Sequence, residues 1–248
     1  MSKVLKIDAA GVYYRDLNAR LRECIKNSVL HIEIQNVCGQ RYIGTDLDKP
    51  VKIDIYGVPG NDLGAFMDGP TIEVHGNAQD GLGNTMNNGE IIVHGHAGDI
   101  LAMAARGGRI FIKEDVGYRA GIHMKEYKEK RPVVVIGGTA QDFLGEYMAG
   151  GVMVVLGLDL NKDEYHRANF IGTGMHGGVI YLRGKVHDFQ LGKEVGVKEL
   201  EPADKAVLEP LVRDYAKYFG FRAEDILKDE FVKLFPLYLR PYGRLYAG

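Results

Sequence analysis

Gly83-Asn84-Thr85-Met86-Asn87-Asn88-Gly89-Glu90-Ile91-Ile92-Val93-His94 is one copy of a unit that recurs along the chain. Its Gly-x-x-Met-x-x-Gly frame returns with Gly145, Met148 and Gly151, and again with Gly172, Met175 and Gly178. Partial copies pair Gly64 with Met67 and Gly121 with Met124, and weaker ones pair Gly44 with Leu47 and Ala102 with Ala105. Three residues before each leading position stands a mostly polar residue: Arg41, Asn61, Asp80, Asp99, Tyr118, Asp142 or Asn169. Apolar runs follow, starting at residues 51, 71, 90, 109, 133, 152 and 179, with His31–Ile34 as an earlier member. The starts are 20, 19, 19, 24, 19 and 27 residues apart, and polar insertions at 125–131 and 158–168 account for the two long intervals.

The runs are rich in Ile and Val, and several alternate apolar with polar residues, which is the pattern of a strand. No ten-residue helical pattern lies between them, so βαβ units are excluded. One strand per repeat of about 19 residues, joined by glycine-rich corners, describes a solenoid whose equivalent strands stack in parallel. The expected fold is therefore all-β dominated: a parallel β-helix of about eight coils. In that stack the Met, Leu or Ala position forms an inward column, for which methionine is an adaptable filler. The glycines mark corners where φ is positive or coils approach closely. The repeated Asp and Asn read as turn chemistry, short side chains bonding nearby amides.

The ends differ from the middle. Residues 16–27 form an amphipathic pattern with Asp16 as N-cap and Leu17, Leu21, Cys24 and Ile25 on one side. Val207, Leu208, Leu211, Val212, Tyr215 and Phe219 repeat at helical spacing up to Gly220, and a second helix is expected near Ala223–Leu234, stopped before Pro236. The chain thus divides into an N-terminal strand and helix cap at 1–28, a β-helix at 29–192 and a C-terminal helical extension at 193–248. The terminal segments are expected to cap the open apolar ends or to dock onto a partner.

Composition narrows the function classes. The 248 residues carry 33 glycines, about 13% against a usual ~7%. A hydrophobic fraction of 46% with 26% charged residues fits a globular protein, and a net charge of −2 provides no field to gather nucleic acid or anionic lipid. No run is long and apolar enough to span a membrane, and no apolar signal core follows the first methionine. A cytoplasmic setting is expected. The two cysteines, Cys24 and Cys38, are too few for an iron–sulfur cluster or a thiolate zinc site and read as buried, inert thiols.

The chemistry-bearing motifs are sparse. His75 and His94 occupy equivalent positions in adjacent coils, and His94-x-His96 could join His75 at a metal. Stacking alone already brings them together on the outward face, so a solvated ladder is expected and no metal site. Gly172-Thr-Gly174-Met-His-Gly177 matches GxGxxG in letters, but a strand rather than a helix follows it, so dinucleotide binding is not expected. Zero Trp and turn-like aspartates argue against a β-helix glycosidase or lyase. The six-residue period of hexapeptide acyltransferases is absent. The residues alone favour a scaffold, with no catalytic, cofactor-binding or metal-binding residue assigned. The residues singled out are those of the structural repeat named above.

Three strings carry a resemblance. They are Asn36-Val-Cys-Gly-Gln-Arg-Tyr-Ile-Gly44, the run from Gly138 to Gly157 with Glu146-Tyr-Met-Ala-Gly-Gly at its centre, and Asn169-Phe-Ile-Gly-Thr-Gly-Met-His-Gly-Gly178. They resemble the C-terminal GXGXG β-helix domain of the glutamate synthase large (alpha) subunit. Gly121-Ile-His-Met-Lys-Glu-Tyr127 and the tail Arg240-Pro-Tyr-Gly-Arg-Leu-Tyr246 resemble its stand-alone, archaeal-type version. The resemblance implies a right-handed β-helix in an assembly that transfers glutamine-derived ammonia to 2-oxoglutarate. It implies as partners a glutaminase (amidotransferase) subunit, whose nucleophile is an N-terminal cysteine, and an FMN-binding glutamate synthase subunit, a barrel that also holds an iron–sulfur cluster. Here residue 2 is Ser and no cluster ligands exist, so no catalytic or cofactor residue carries over and the chain is not expected to catalyse alone. The implied role is to brace the two modules, with a homo-oligomer as a further expectation. The scaffold component of formylmethanofuran dehydrogenase shares the Gly-x-x-x-Met corners and is the second resemblance, which implies a scaffold in another redox complex. An independent β-helix enzyme or binding module is the third reading.

Overall fold

The computed structural model describes residues 4–161 and 163–239. The tail string Arg240–Tyr246 lies outside them, as do residues 1–3. One sheet runs the length of the molecule. Strands β1 (Leu5–Asp8), β2 (His31–Cys38), β3 (Lys52–Val58), β4 (Asp68–Val74), β5 (Asn88–Val93), β6 (Arg109–Ile112), β7 (Val133–Ile136), β8 (Ala149–Val155) and β9 (Gly177–Arg183) stack in sequence order, each parallel to the next. The register joins equivalent residues: Ile53 to Ile72, Ile72 to Ile91, Ile91 to Ile110. This is a parallel β-solenoid of about six turns. Counting strand runs gives eight, slightly more than the turns of the solenoid. A helix leads into β2, and β9 meets an antiparallel strand.

The interior is a single apolar column. Ile32, Ile34, Ile53, Ile55, Ile72, Val74, Ile91, Val93, Ile110 and Ile112 point into it from the strands, and Met67, Met86, Met124, Met148 and Met175 from the corners. All five methionines are buried. Helix α1 (Tyr14–Lys26) closes the first coil, with Leu17 and Leu21 buried in the same core. Its N-cap is Tyr13, without a capping side chain, so the helix starts ahead of Asp16. Asn18 and Arg22 bond the carbonyls of Arg41 and Thr45 and fix its outer face to the first corner.

The C-terminal extension carries strands as well as helices. Strand β10 (Val195–Glu199) pairs with β11 (Phe231–Pro236), and β11 pairs antiparallel with β9, so this antiparallel pair ends the stack. The helix expected at 223–234 is short: α3 (Ala223–Leu227) stops and β11 follows. The aromatic and β-branched residues of the Phe231, Val232, Lys233, Leu234, Phe235 segment suit a strand, which finds the free edge of β9, and pairing there outweighs local helical spacing. Helix α2 (Pro202–Phe219) starts on Pro202 and ends on Gly220 in the left-handed conformation. It does not cap the open end. Leu208, Leu211, Val212 and Tyr215 lie on the outward face of β6–β9, over Phe111, Val135, Val154 and Tyr181. Tyr215 Oη donates to the Lys113 carbonyl at 2.8 Å, and Tyr218 Oη to Glu90 at 2.7 Å.

Among the described residues no helix is long and apolar enough to cross a membrane. The two thiols are free, with Cys24 half-buried and Cys38 exposed. Cys38 is not the buried thiol expected. It stands at the end of β2, where its side chain falls on the outward side of the strand alternation.

Candidate functional site on the outer strand face

Parallel register sorts the outward side chains into rows. One row reads Glu33, Asp54, Glu73, Ile92, Phe111, Val135, Val154, Tyr181. It is acidic over β2–β4 and apolar from β5 onward, where α2 takes over. The outer face is thus divided between a covered apolar half and an open polar half.

The open half is a network of alternating carboxylates and bases. Asp54, only 5% exposed, is held by His31 Nε2 at 2.6 Å, His75 Nε2 at 3.1 Å and Lys52 Nζ at 3.3 Å. Glu73 is held by His94 Nε2 at 2.9 Å and Lys52 Nζ at 3.1 Å. Burial pushes both carboxyls up, but the hydrogen bonds from His31 and His75 on Asp54, and from His94 and Lys52 on Glu73, outweigh it. Both titrate below the usual carboxylate range. The rings stack along the column. Tyr56 lies on His75 at 4.4 Å and 14°, His75 on His94 at 5.2 Å and 17°, and the edge of Phe219 meets His94 at 5.3 Å.

Glu73, His75 and His94 bring one ligand atom each within 4.8 Å of one another, the arrangement among the described residues that fits a metal ion. His96, the third ligand that sequence suggests, stands apart from this group. Its backbone amide bonds Asn77 Oδ1 instead. Glu73 and Asp54 escape sequence reading because a carboxylate alternating with Ile in a strand looks like an ordinary solvent-facing residue. The signal that remains is spacing: Glu73 lies two residues before His75 and so shares its face.

The residues of the structural repeat line the corners. Gly64, Gly83, Gly121, Gly145 and Gly172 have φ between +65° and +75°, and Gly89, Gly151 and Gly178 have φ between +79° and +99°. Each leading glycine lies near the interior side chain of a later coil: a β-carbon on Gly64 would fall 2.8 Å from Ile91 Cδ1. The polar corner residues reach the neighbouring coil. Asp80 Oδ1 accepts from the Asp99 amide at 2.9 Å, Asp99 Oδ1 from the Tyr118 amide at 2.9 Å, and Asp142 Oδ1 from the Asn169 amide at 2.8 Å. These carboxylates converge on amides and serve the stack. Gly172 to Gly177 is one such corner leading into β9, without the following helix that phosphate binding needs.

The corner column also displays aromatic residues. Phe143 stacks on Phe170 at 4.9 Å, Arg119 lies over Phe143 at 4.4 Å, and His123 stacks on Tyr147 at 5.3 Å. The 125–131 insertion folds back through a Tyr127–Lys130 bridge, and Lys130 pairs with Asp68. With Tyr181, Asp204, Lys233 and Phe235 of the C-terminal part, Glu126 and Arg131 line a cavity of about 440 Å³. The 158–168 insertion buries His166, whose Nε2 donates to the Arg183 carbonyl at 2.8 Å.

The pattern of the GXGXG motif family matches residues 10–239, which takes in strands β2 to β11 and most of the C-terminal extension. The chain belongs to the GXGXG motif family. This is the family of the C-terminal domain of the glutamate synthase large (alpha) chain. The chain is also 47% identical to an uncharacterized protein of Methanocaldococcus jannaschii over 250 residues, covering 97% of this chain and 95% of that protein. Both matches span most of the chain.

Proposed function

We propose that this glutamate synthase-like chain is a structural subunit that braces a glutaminase subunit against an FMN-binding subunit. The observation that carries the reading is the extent of the family match, strands β2 to β11 and most of the C-terminal extension together. The corner chemistry supports it. Asp80, Asp99 and Asp142 are engaged in holding coil to coil. A stack tied at each corner resists bending and presents fixed rows of side chains, as a brace requires. The FMN and iron–sulfur cluster belong to the partner subunit in this reading, and ammonia released by the glutaminase passes between the braced modules in the cytoplasm.

Reconstitution with and without this chain tests the role. Glutamine-dependent glutamate formation should fall sharply when the chain is omitted, while ammonia-dependent formation persists. Equal loss of both rates would contradict a role in coupling the two modules.

A further inference from the structure

We propose that Glu73, His75 and His94 form a binding site for a divalent transition metal of the zinc class. The site is independent of any assembly partner, since strand β4 and the residues directly after β4 and β5 supply all three ligands. The parallel register sets their separation: His75 and His94 are equivalent residues of neighbouring coils, and Glu73 shares the face of His75.

The donor set selects the ion. Two imidazoles with one carboxylate suit zinc and its neighbours, whereas calcium and magnesium take oxygen ligands. A tetrahedral ion with bonds of about 2.0–2.1 Å holds its ligand atoms roughly 3.3 Å apart. Glu73 Oε1 and His94 Nε2 stand 2.9 Å apart, and the three ligand atoms lie within 4.8 Å. Small side-chain rotations bring them to that spacing.

The surroundings are those of an oriented site. Asp54 accepts from His75 and is itself fixed by His31 and Lys52. Carboxylates bonded to ligating histidines hold the ring and raise its basicity. Lys52 occupies Glu73 Oε2 and leaves Oε1 toward His94, so the carboxylate binds through one oxygen. Tyr56 and Phe219 flank the imidazoles. With Asp54 and Glu73 ionised and Lys52 protonated, the three groups sum to one negative charge, which favours a cation. Three protein ligands leave a fourth position for water or for a group from outside the chain.

Cobalt(II) and zinc titrations of the untagged, chelator-treated chain test the assignment. One equivalent of cobalt should bind with a visible ligand-field band, zinc should displace it, and the thermal midpoint should rise on binding. Glu73→Gln and His94→Gln should abolish the band, and His96→Gln should leave it. Asp54→Asn should weaken binding by about 10–100-fold. Circular dichroism identifies any variant that does not fold. In the wild-type chain cobalt should broaden the imidazole resonances of His75 and His94 and spare His166 and His187. No saturable binding, undiminished binding in folded His94→Gln, or broadening confined to other histidines would overturn the site.

Discussion

A β-carbon on Gly178 would lie 2.6 Å from Cε of Met148, one coil away. The same relation joins Met86 to Gly108 at 2.4 Å, Met124 to Gly151 at 3.0 Å and Met67 to Gly89 at 3.1 Å. Methionine in one coil and glycine in the next are two halves of one packing contact. The Met-to-Gly spacing of the repeat is therefore set between coils as much as within them.

Gly178→Ala adds a methyl group where Met148 already fills the space, at φ +79°. Overpacking and left-handed strain together should destabilise the chain by about 2–4 kcal/mol in equilibrium urea unfolding. Met148→Ala alone should cost about 2–5 kcal/mol. The double variant should be less destabilised than the sum, because the truncated methionine makes room for the new methyl. Additive losses would show that the two residues do not share a contact.

The corner carboxylates act across coils, so their loss should be local. Asp99→Ala removes the acceptor of the Tyr118 amide and should lower stability by about 1–2 kcal/mol. Hydrogen exchange at that amide should accelerate more than at the strand amides of β5 and β6. Asp99→Asn keeps an acceptor oxygen and should restore most of the protection.

His166 links stability to pH. Burial holds its pKa below the ordinary 6.5, against the raising effect of its bond to the Arg183 carbonyl. The folded state favours the neutral ring, and the unfolded state takes up a proton more readily. The contribution is complete above about pH 6.5 and is lost as pH falls through the folded value. Unfolding free energy should therefore rise as pH increases toward about 6.5, and His166→Gln should flatten that part of the profile. An unchanged profile would assign the dependence to other groups.

Helix α2 shields the apolar half of the outer face. Leu208 is buried against it, and Leu208→Ala should cost about 2–5 kcal/mol. Tyr215→Phe removes the bond to Lys113 and should cost about 1 kcal/mol. In hydrogen exchange the loosening should concentrate on α2 and α3 and leave β2–β4, which α2 does not cover, protected as before.

The solenoid is legible in the residues because its signals repeat. Seven corners with one spacing, each followed by an Ile- or Val-rich run, outvote any single ambiguous segment. The cause of the glycines is only partly legible. Asp62 and Phe66 flank Gly64 with φ of +60°, as left-handed as the glycine's +65°, so conformation alone does not demand glycine there. The approach of Ile91 does, and that contact lies 27 residues away. Helix α2 is legible in place but not in docking. Phe111, Val135 and Val154 announce an apolar row only once the register aligns them with Glu33 and Asp54. Strand β11 reads as helix in the sequence because Phe231–Pro236 owes its form to the edge of β9, which local spacing does not record. The Glu73, His75, His94 group is half legible: the two histidines by repeat position, the carboxylate only by face.

The most direct measurement of the central claim is a native pull-down of the tagged chain, with mass spectrometry and a flavin absorbance scan of the eluate. A scaffold role in a glutamate synthase-like assembly predicts a coloured complex containing a glutaminase protein and an FMN-barrel protein. A colourless chain that elutes without either, or one bound to a molybdenum or tungsten enzyme, would contradict it.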